Sequence, residues 1–258
     1  MFKPFVLANW KMHKTPSEAE ALLSEIVPTM KSLHEVEVAI APSTLCVPLA
    51  SRMLSGSGVA LAAQDCHWEE EGPFTGQTSP RMLAECGVRY VLLGHSEMRE
   101  FFGESDHRVS LKARAALFWG MSPIICVGEK KDERDSDRAE IVVEAQLNRC
   151  LESVHLDKNQ RLLVAYEPVW SIGTGLLPGP ADVRSVHHII RTTLLQTFGE
   201  EIGCRLPILY GGSVNTSTVR PMLDLDVVDG VLVGGASLRA ETFLPLVREV
   251  AGAGPQGP

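Results

Sequence analysis

The sequence predicts an α/β fold in which eight parallel strands, each followed by a helix, close into a (β/α)8 barrel. Eight short runs rich in apolar and β-branched residues recur along the chain, and segments with helical periodicity lie between them. Most of the runs are continuous rather than alternating, which is typical of parallel strands that are buried on both faces. This βα pattern, repeated eight times, favours a closed barrel over the other common α/β architectures.

The predicted strands cover residues 5–10, 36–42, 59–65, 90–95, 123–129, 162–168, 207–212 and 230–235. The predicted helices cover residues 17–31, 44–55, 105–119, 138–154, 181–198, 217–223 and 239–250. A further helix begins at Ser79-Pro80, because serine is a good N-cap and proline suits the first helical position. Pro48 delays the start of the second helix. An open doubly wound sheet is the alternative, but it favours a G-x-G-x-x-G turn where the first strand here ends in Asn9-Trp10-Lys11.

Length and composition exclude several classes of protein. The 258 residues suit one domain, predicted over residues 1–251, with a flexible Gly- and Pro-rich tail at 252–258. With 24 Lys and Arg against 32 Asp and Glu, the net charge of −8 argues against nucleic-acid and anionic-membrane partners. Neither a signal peptide nor a membrane span is expected. The six cysteines form no C-x-x-C pair, so they predict reduced thiols in the cytoplasm rather than a metal site or a disulfide framework.

Polar residues follow several predicted strands at their carboxyl ends, where the active sites of such barrels lie. Asn9 and Lys11 end the first strand, His95 ends the fourth and Glu167 ends the sixth. A partly desolvated Glu167 is expected to have a raised pKa and to act as a general base. A neutral His95 suits hydrogen-bond donation to a carbonyl group, and Lys11 is placed to turn its charge inward. The alternatives are a salt-bridged structural glutamate, a hydrogen-bonded strand-end histidine and a surface lysine.

Two further carboxylates and two pairs of glycines complete this edge of the predicted sheet. Glu97 and Glu129 end neighbouring strands and are expected to hold Lys11 or Arg99 rather than to catalyse. The turns at 211–212 and 234–235 follow the seventh and eighth strands, the usual phosphate site of such barrels. Glycine lets backbone N–H groups approach an anion closely, so these turns predict a phosphate cradle. The alternative is that they only permit tight turns.

The segment 168–175 predicts a lid over the site. Val169, Trp170 and Ile172 are apolar, and Pro and Gly residues flank them. Exposed apolar side chains in a loop are costly unless they cover something, so this composition suits a loop that shuts over a ligand. We expect Ile172 and Leu232 to press apolar surface against Glu167 when the lid shuts, which raises the pKa of its carboxyl group. A static, packed loop is the alternative.

These residues lie in blocks that resemble the triosephosphate isomerase family over the whole chain. The blocks, in chain order, are residues 8–12 (ANWKM), 74–76 (FTG), 94–97 (GHSE), 165–170 (AYEPVW), 172–175 (IGTG), 210–214 (YGGSV) and 233–238 (VGGASL). The resemblance implies reversible conversion of dihydroxyacetone phosphate and D-glyceraldehyde 3-phosphate in glycolysis and gluconeogenesis, without metal or organic cofactor. It also implies a (β/α)8 TIM barrel.

The resemblance further implies a role for each site residue. Glu167 moves the proton, His95 polarises the carbonyl as a neutral imidazole, Lys11 stabilises the enediolate and Asn9 orients the substrate. The phosphate is held by backbone donors of Gly173, Ser213, Gly234 and Gly235. A homodimer is implied too, in which the loop 66–80 enters the mouth of the second subunit and Thr75 braces the site there.

Five positions depart from the usual family pattern: His13, Asp65, Gln77, Met98 and Ser171. Met98 stands where arginine is usual and is expected to remove a salt bridge that braces nearby loops. Another sugar-phosphate isomerase, acting on a four-carbon substrate, is the alternative enzyme, and the lid tip and eighth loop favour the triose. A non-catalytic barrel is a third interpretation, but it would lack the base or the electrophile, and this chain has both Glu167 and His95.

Overall fold

A computed structural model describes residues 3–253 and contains a closed barrel of eight parallel strands. Each strand pairs with its neighbours in chain order, and the eighth pairs with the first. The strands are β1 (Phe5–Asn9), β2 (Glu37–Ala41), β3 (Ala60–Ala63), β4 (Val88–Leu93), β5 (Ser122–Val127), β6 (Leu163–Tyr166), β7 (Ile208–Tyr210) and β8 (Gly230–Val233). All eight predicted strands are therefore confirmed, and the closed barrel excludes the open sheet.

Helices lie around the barrel. They are α1 (Pro16–Met30), α2 (Val47–Leu54), α3 (Pro80–Glu85), α4 (Ser96–Phe101), α5 (Asp106–Phe118), α6 (Lys131–Asp135), α7 (Ala139–Leu151), α8 (Pro180–Gly203), α9 (Arg220–Leu223) and α10 (Ala240–Gly252). Short 3-10 turns cover Thr44–Cys46, Val169–Ser171 and Gly235–Leu238. Ser79 caps α3 as predicted, because its side chain accepts the backbone N–H of Met82.

Three helical predictions need correction. The helix predicted at 217–223 begins only at Arg220, because the Asn215 side chain takes the N–H groups of Ser217 and Thr218 into a turn. The charged run 129–137 lies outside the predicted helices, but it contains α6 and begins with a fully buried Glu129. The short helix α4, directly after His95, was not predicted at all.

The predicted tail begins within α10, which includes Gly252, and its residues 254–258 lie outside the described residues.

The apolar side chains form two layers, one inside the barrel and one between barrel and helices. Along β6, Leu163 and Ala165 belong to the inner cluster, whereas Val164 and Tyr166 belong to the outer one. This alternation explains why the strands are apolar at every position. Since side chains alternate along a strand, Glu167 continues the inward series and emerges at the barrel mouth.

Candidate active site

A cavity of about 340 Å³ opens where the carboxyl ends of the strands meet. Ten of the residues predicted for the site line it, namely Asn9, Lys11, His95, Glu167, Ile172, Gly173, Ser213, Leu232, Gly234 and Gly235. They come from the ends of five different strands, β1, β4, β6, β7 and β8, so the closed barrel brings together residues that are far apart in sequence. The remaining two predicted residues, Glu97 and Thr75, do not line it.

Glu167 is buried in the cavity wall and contacts His95 directly. Its Oε1 lies 3.1 Å from Nε2 of His95, and its Oε2 accepts the backbone N–H of Ser96 at 3.1 Å. Ser96 is the first residue of α4, so a helix N-terminus donates to the carboxylate. The carboxylate is therefore held in one place by groups from the fourth strand-to-helix segment.

The pKa of the Glu167 carboxyl group lies below its ordinary value in this arrangement. Burial alone raises the pKa, but the ring of His95, the N–H of Ser96 and the charge of Lys11 together outweigh burial. The prediction of a raised pKa is therefore wrong for this arrangement, because the sequence pattern revealed the burial but not these partners.

The pKa of the His95 ring shifts in the opposite direction, above its ordinary value. Burial acts to lower its pKa, but the adjacent carboxylate of Glu167 raises it above the ordinary value. On the far side of the ring, Nδ1 accepts the backbone N–H of Glu97 at 3.3 Å. A nitrogen that accepts this bond carries no proton, so the neutral ring holds its proton on Nε2, which faces the cavity.

Lys11 is held at both its backbone and its ammonium group. Its φ angle of 51° is in the left-handed region, and its N–H donates to Oδ1 of Asn9 at 3.0 Å. Its Nζ lies 2.7 Å from Oε1 of Glu97. The predicted support of Lys11 by Glu97 is confirmed, and the lysine turns into the cavity instead of lying on the surface.

Glu129 has a different role from the one predicted. Its Oε1 accepts hydrogen bonds from the indole of Trp170 at 2.7 Å and from the hydroxyl of Tyr166 at 3.1 Å. Arg99 donates instead to Asp106 and to the carbonyl of Gly94. Glu129 therefore anchors the root of the segment 168–175, and the prediction that it holds Lys11 or Arg99 is wrong.

A side chain at Gly211 would crowd the cavity, and one at Gly234 would pack against Lys11. A Cβ on Gly211 would lie 3.1 Å from Cγ of Glu167 and 3.3 Å from Cδ2 of Leu232. A Cβ on Gly234 would lie 3.5 Å from Cε of Lys11. The hydroxyl of Ser237 donates to the carbonyl of Gly234 at 2.7 Å and fixes the turn. Glycine at these positions thus leaves the backbone open to the cavity beside the ammonium group.

The segment 168–175 is anchored at one end and exposed at its tip. Trp170 is tied to Glu129, and the hydroxyl of Ser213 donates to the carbonyl of Ser171 at 3.1 Å. Ile172 is half-buried at the cavity wall, while residues 173–177 are exposed. A fixed root beside an exposed tip is the arrangement that a lid requires.

Some residues of the site were missed by the sequence analysis. The backbone N–H of Ser96 binds the carboxylate of Glu167, and Val214 and Asn215 line the cavity. A signal for Ser96 was present, since a serine and an acidic residue after a strand are typical of a helix start. Among residues 3–253, no group of three or more metal-ligating side chains is present, and no helix is long and apolar enough to cross a membrane.

Comparison with known proteins identifies the family. The family model described as triosephosphate isomerase matches residues 4–250. The chain is 44% identical to the triosephosphate isomerase of Carboxydothermus hydrogenoformans over 96% of this chain and 99% of that protein. It is 42% identical to that of Chloroflexus aurantiacus, over 95% of this chain and 98% of the relative.

A solved structure agrees with these relatives. The crystal structure of triosephosphate isomerase from Bartonella henselae superposes with a TM-score of 0.85 and 35% sequence identity, covering 96% of this chain and 99% of that one. The similarity therefore extends over the whole barrel and over all the strand ends that form the cavity. The chain belongs to the triosephosphate isomerase family.

Proposed function

We propose that this chain interconverts dihydroxyacetone phosphate and D-glyceraldehyde 3-phosphate, by proton transfer through an enediolate, in glycolysis and gluconeogenesis. One observation carries the proposal: a buried carboxylate, Glu167, contacts the Nε2 of His95 in a cavity that also contains Lys11 and two glycine turns. Isomerisation needs a base, an electrophile and a cation for the developing charge, and the cavity supplies one of each.

The base and the electrophile must exchange partners when substrate binds. Glu167 and His95 bind each other at 3.1 Å in this structure, which keeps the carboxylate ionised and ready to accept a proton. A substrate carbonyl placed against Nε2 takes over the hydrogen bond and frees the carboxylate for the adjacent C–H group. Protons and electron pairs balance within the substrate, so the reaction requires neither a redox cofactor nor a metal.

The phosphate group is bound locally, because the protein carries a net charge of −8. We assign its binding to Lys11, the backbone of Gly173, Gly234 and Gly235, and Ser213, which all line the cavity. Binding of this remote group also supplies free energy for closing the lid over the reacting carbons.

A homodimer is part of the proposal. Residues 69–77 of the loop after β3 are all exposed, and Phe74 stacks near His67 with ring centroids 4.2 Å apart. Large apolar side chains are also exposed in the segments that follow the neighbouring strands β1 to β4, namely Met12, Leu45, Met82, Phe101 and Phe102. Such a patch favours a partner surface. We propose that the loop enters the second subunit, where Thr75 supports the site beside Asn9 and Lys11.

A cytoplasmic location completes the proposal. All six cysteines are free, and four of them are buried. Burial raises the pKa of Cys150 to about 12, so this thiol stays protonated and unreactive. Buried free thiols are typical of proteins that fold in a reducing compartment.

The reaction class is tested with a coupled assay on the wild type and on Glu167→Asp. The wild type is expected to turn over dihydroxyacetone phosphate in clear preference to a four-carbon ketose phosphate. Shortening the side chain by one methylene withdraws the carboxylate from its contacts, and a misplacement of this size lowers turnover on the order of 100-fold. Near wild-type turnover by the variant would remove Glu167 from the mechanism.

The phosphate cradle is tested with Gly234→Val. A branched side chain at this position meets Lys11 and blocks the approach of the backbone N–H groups, so substrate binding and inhibition by inorganic phosphate are both expected to weaken. Gly252→Ala, where a Cβ meets nothing within 4 Å, is the control. If phosphate inhibition were the same in Gly234→Val and the control, the cradle would have to be sought in another part of the mouth.

The apolar clamp on the base is tested with Ile172→Ala. Because burial disfavours the carboxylate, closing the lid is expected to raise the pKa of Glu167 above the low value that His95 maintains here. The variant should reduce turnover more than substrate affinity and should lower that pKa in an inhibitor complex, at about 1.4 kcal/mol per pKa unit. Leu176→Ala, whose side chain is half exposed, is the control. Equal pKa values in wild type and Ile172→Ala would exclude the clamp.

The dimer is tested by sedimentation at micromolar concentration. The wild type is expected to sediment as a dimer, and Phe74→Asp should shift it towards monomer and reduce activity, because a charge in an apolar interface is costly. Ile141→Asp is the control, since this side chain is 64% exposed on α7, away from the loop. A wild type that is fully active as a monomer would refute the dimer.

A further inference from the structure

A buried lysine outside the catalytic cavity connects two segments that hold Lys11. Lys112 lies on α5, and its side chain is 6% exposed. Its Nζ lies 2.8 and 3.0 Å from the two carboxylate oxygens of Asp65, and it also contacts the carboxylate of Glu104. One ammonium group thus joins the loop after β3 to the connection between α4 and α5.

The contact of Lys112 with Asp65 is connected, through the residue that precedes Asp65, to the backbone of Lys11. Gln64 precedes Asp65, and its amide nitrogen donates to the carbonyl of Lys11 at 2.9 Å and to that of Ala41 at 2.9 Å. Lys11 has a φ angle of 51°, a conformation that costs roughly 1–2 kcal/mol for a residue with a side chain. Such a conformation persists only where its surroundings hold it, and the Gln64 amide is one of the groups that do so.

The second contact leads from Glu104 to the ammonium group of Lys11. The backbone N–H of Glu104 donates to the carbonyl of Met98 at 3.1 Å. Met98 lies on α4 beside Glu97, whose carboxylate holds Nζ of Lys11 at 2.7 Å. Lys112 therefore contacts both of the segments that hold Lys11, one at its backbone and the other at its ammonium group.

We propose that Lys112 and Asp65 are positioning residues for Lys11, acting through Gln64 on its backbone and through α4 on its ammonium group. The inference rests on the proposed function, since it assigns a support to the cation that binds the phosphate and the enediolate. Lys112 and Asp65 do not touch the substrate cavity, whose wall is formed by other residues.

Three of the five departures from the family pattern lie together. Asp65, Gln77 and Met98 all line one cavity of about 340 Å³, together with Glu104 and Lys112. Gln77 and Met98 are uncharged, so these two residues form no ion pair with each other. The carboxylates of Asp65 and Glu104 both bind Lys112, and that lysine joins the loop after β3 to the connection between α4 and α5.

The charge balance of the cluster makes Asp65 the better residue to change. Two carboxylates share one ammonium group, and burial and the nearby Glu104 hold the pKa of Asp65 above its ordinary value although Lys112 acts to lower it. Removal of Lys112 would leave the buried carboxylate of Glu104 and the partly buried carboxylate of Asp65 without a cation, which is strongly destabilising. Asp65→Ala instead leaves Lys112 and Glu104 as a balanced pair, so this variant is expected to fold.

The test measures the affinity for inorganic phosphate by calorimetry and the steady-state kinetics of isomerisation in four proteins. They are the wild type, Asp65→Ala, Asp65→Asn and Asp229→Ala. Asparagine at position 65 keeps an oxygen that accepts from Lys112. Asp229 forms a buried ion pair with Arg191 at 3.0 Å next to the start of β8, at the other end of the barrel, so it controls for the loss of a buried pair as such.

Asp65→Ala is expected to weaken phosphate binding by about threefold or more and to lower kcat/KM by about tenfold, because a misplaced Lys11 acts on both. Asp65→Asn and Asp229→Ala should stay within about twofold of the wild type in both measurements. Unchanged phosphate affinity in Asp65→Ala, or an equal loss in Asp229→Ala, would overturn the inference. So would a loss that disappears at higher enzyme concentration, because that points to subunit dissociation.

The two proposals fail in different ways. Absence of wild-type turnover contradicts the proposed function, whereas the phosphate titrations do not depend on turnover and test the support of Lys11 by themselves. If the wild type turns over substrate and Asp65→Ala has the same phosphate affinity and kcat/KM as the wild type, only the positioning role is contradicted.

Discussion

Closure of the barrel by pairing of β8 with β1 is the constraint on which the rest of the structure depends. Phe5 lies opposite Gly230 in this pairing, and a Cβ on Gly230 would lie 2.1 Å from the carbonyl oxygen of Phe5. Only glycine permits so close an approach. The closure places Gly234 beside Lys11, and so it brings the end of the first strand next to the glycine turn after the last. Without it the cavity would lack one wall, and the glycine turn would have no cation beside it.

The cavity at the carboxyl ends of the strands contains positively charged and N–H donor groups, although the whole protein carries a net charge of −8. The cavity confines the ammonium group of Lys11 and a few other donors to a small, partly buried space, where local interactions are stronger than the distant field of the acidic chain. Two close contacts hold these groups. Glu167 is bound to the ring of His95, and Glu97 forms an ion pair with Lys11. Each charged group therefore has a partner instead of remaining a buried, unpaired charge.

At the opposite end of the barrel, the polar groups stabilise the fold instead of forming a binding site. There, Glu37 binds the guanidinium of Arg161 at 2.7 Å and also the hydroxyl of Tyr90, which contacts Phe5 with ring centroids 5.0 Å apart. This cluster closes the bottom of the barrel and lowers the pKa of Glu37, since the neighbouring arginines and Tyr90 outweigh its burial. Polar groups at this end satisfy one another, whereas those at the mouth leave donors open to a ligand.

The sequence by itself determined the eight strands, most of the helices and ten of the fifteen residues of the cavity wall, because strand burial, helix caps, glycine turns and the family's sequence blocks are encoded by neighbouring residues. Only the tertiary structure decided how those residues interact. It revealed α4 and the N–H of Ser96, it reversed the expected pKa shift of Glu167, and it moved Glu129 from Lys11 to Trp170. The chain of contacts that connects Lys112 to Lys11 was equally hidden. A pKa and a partner depend on distances of a few ångströms between residues from different strand ends, and local sequence patterns carry no record of those distances.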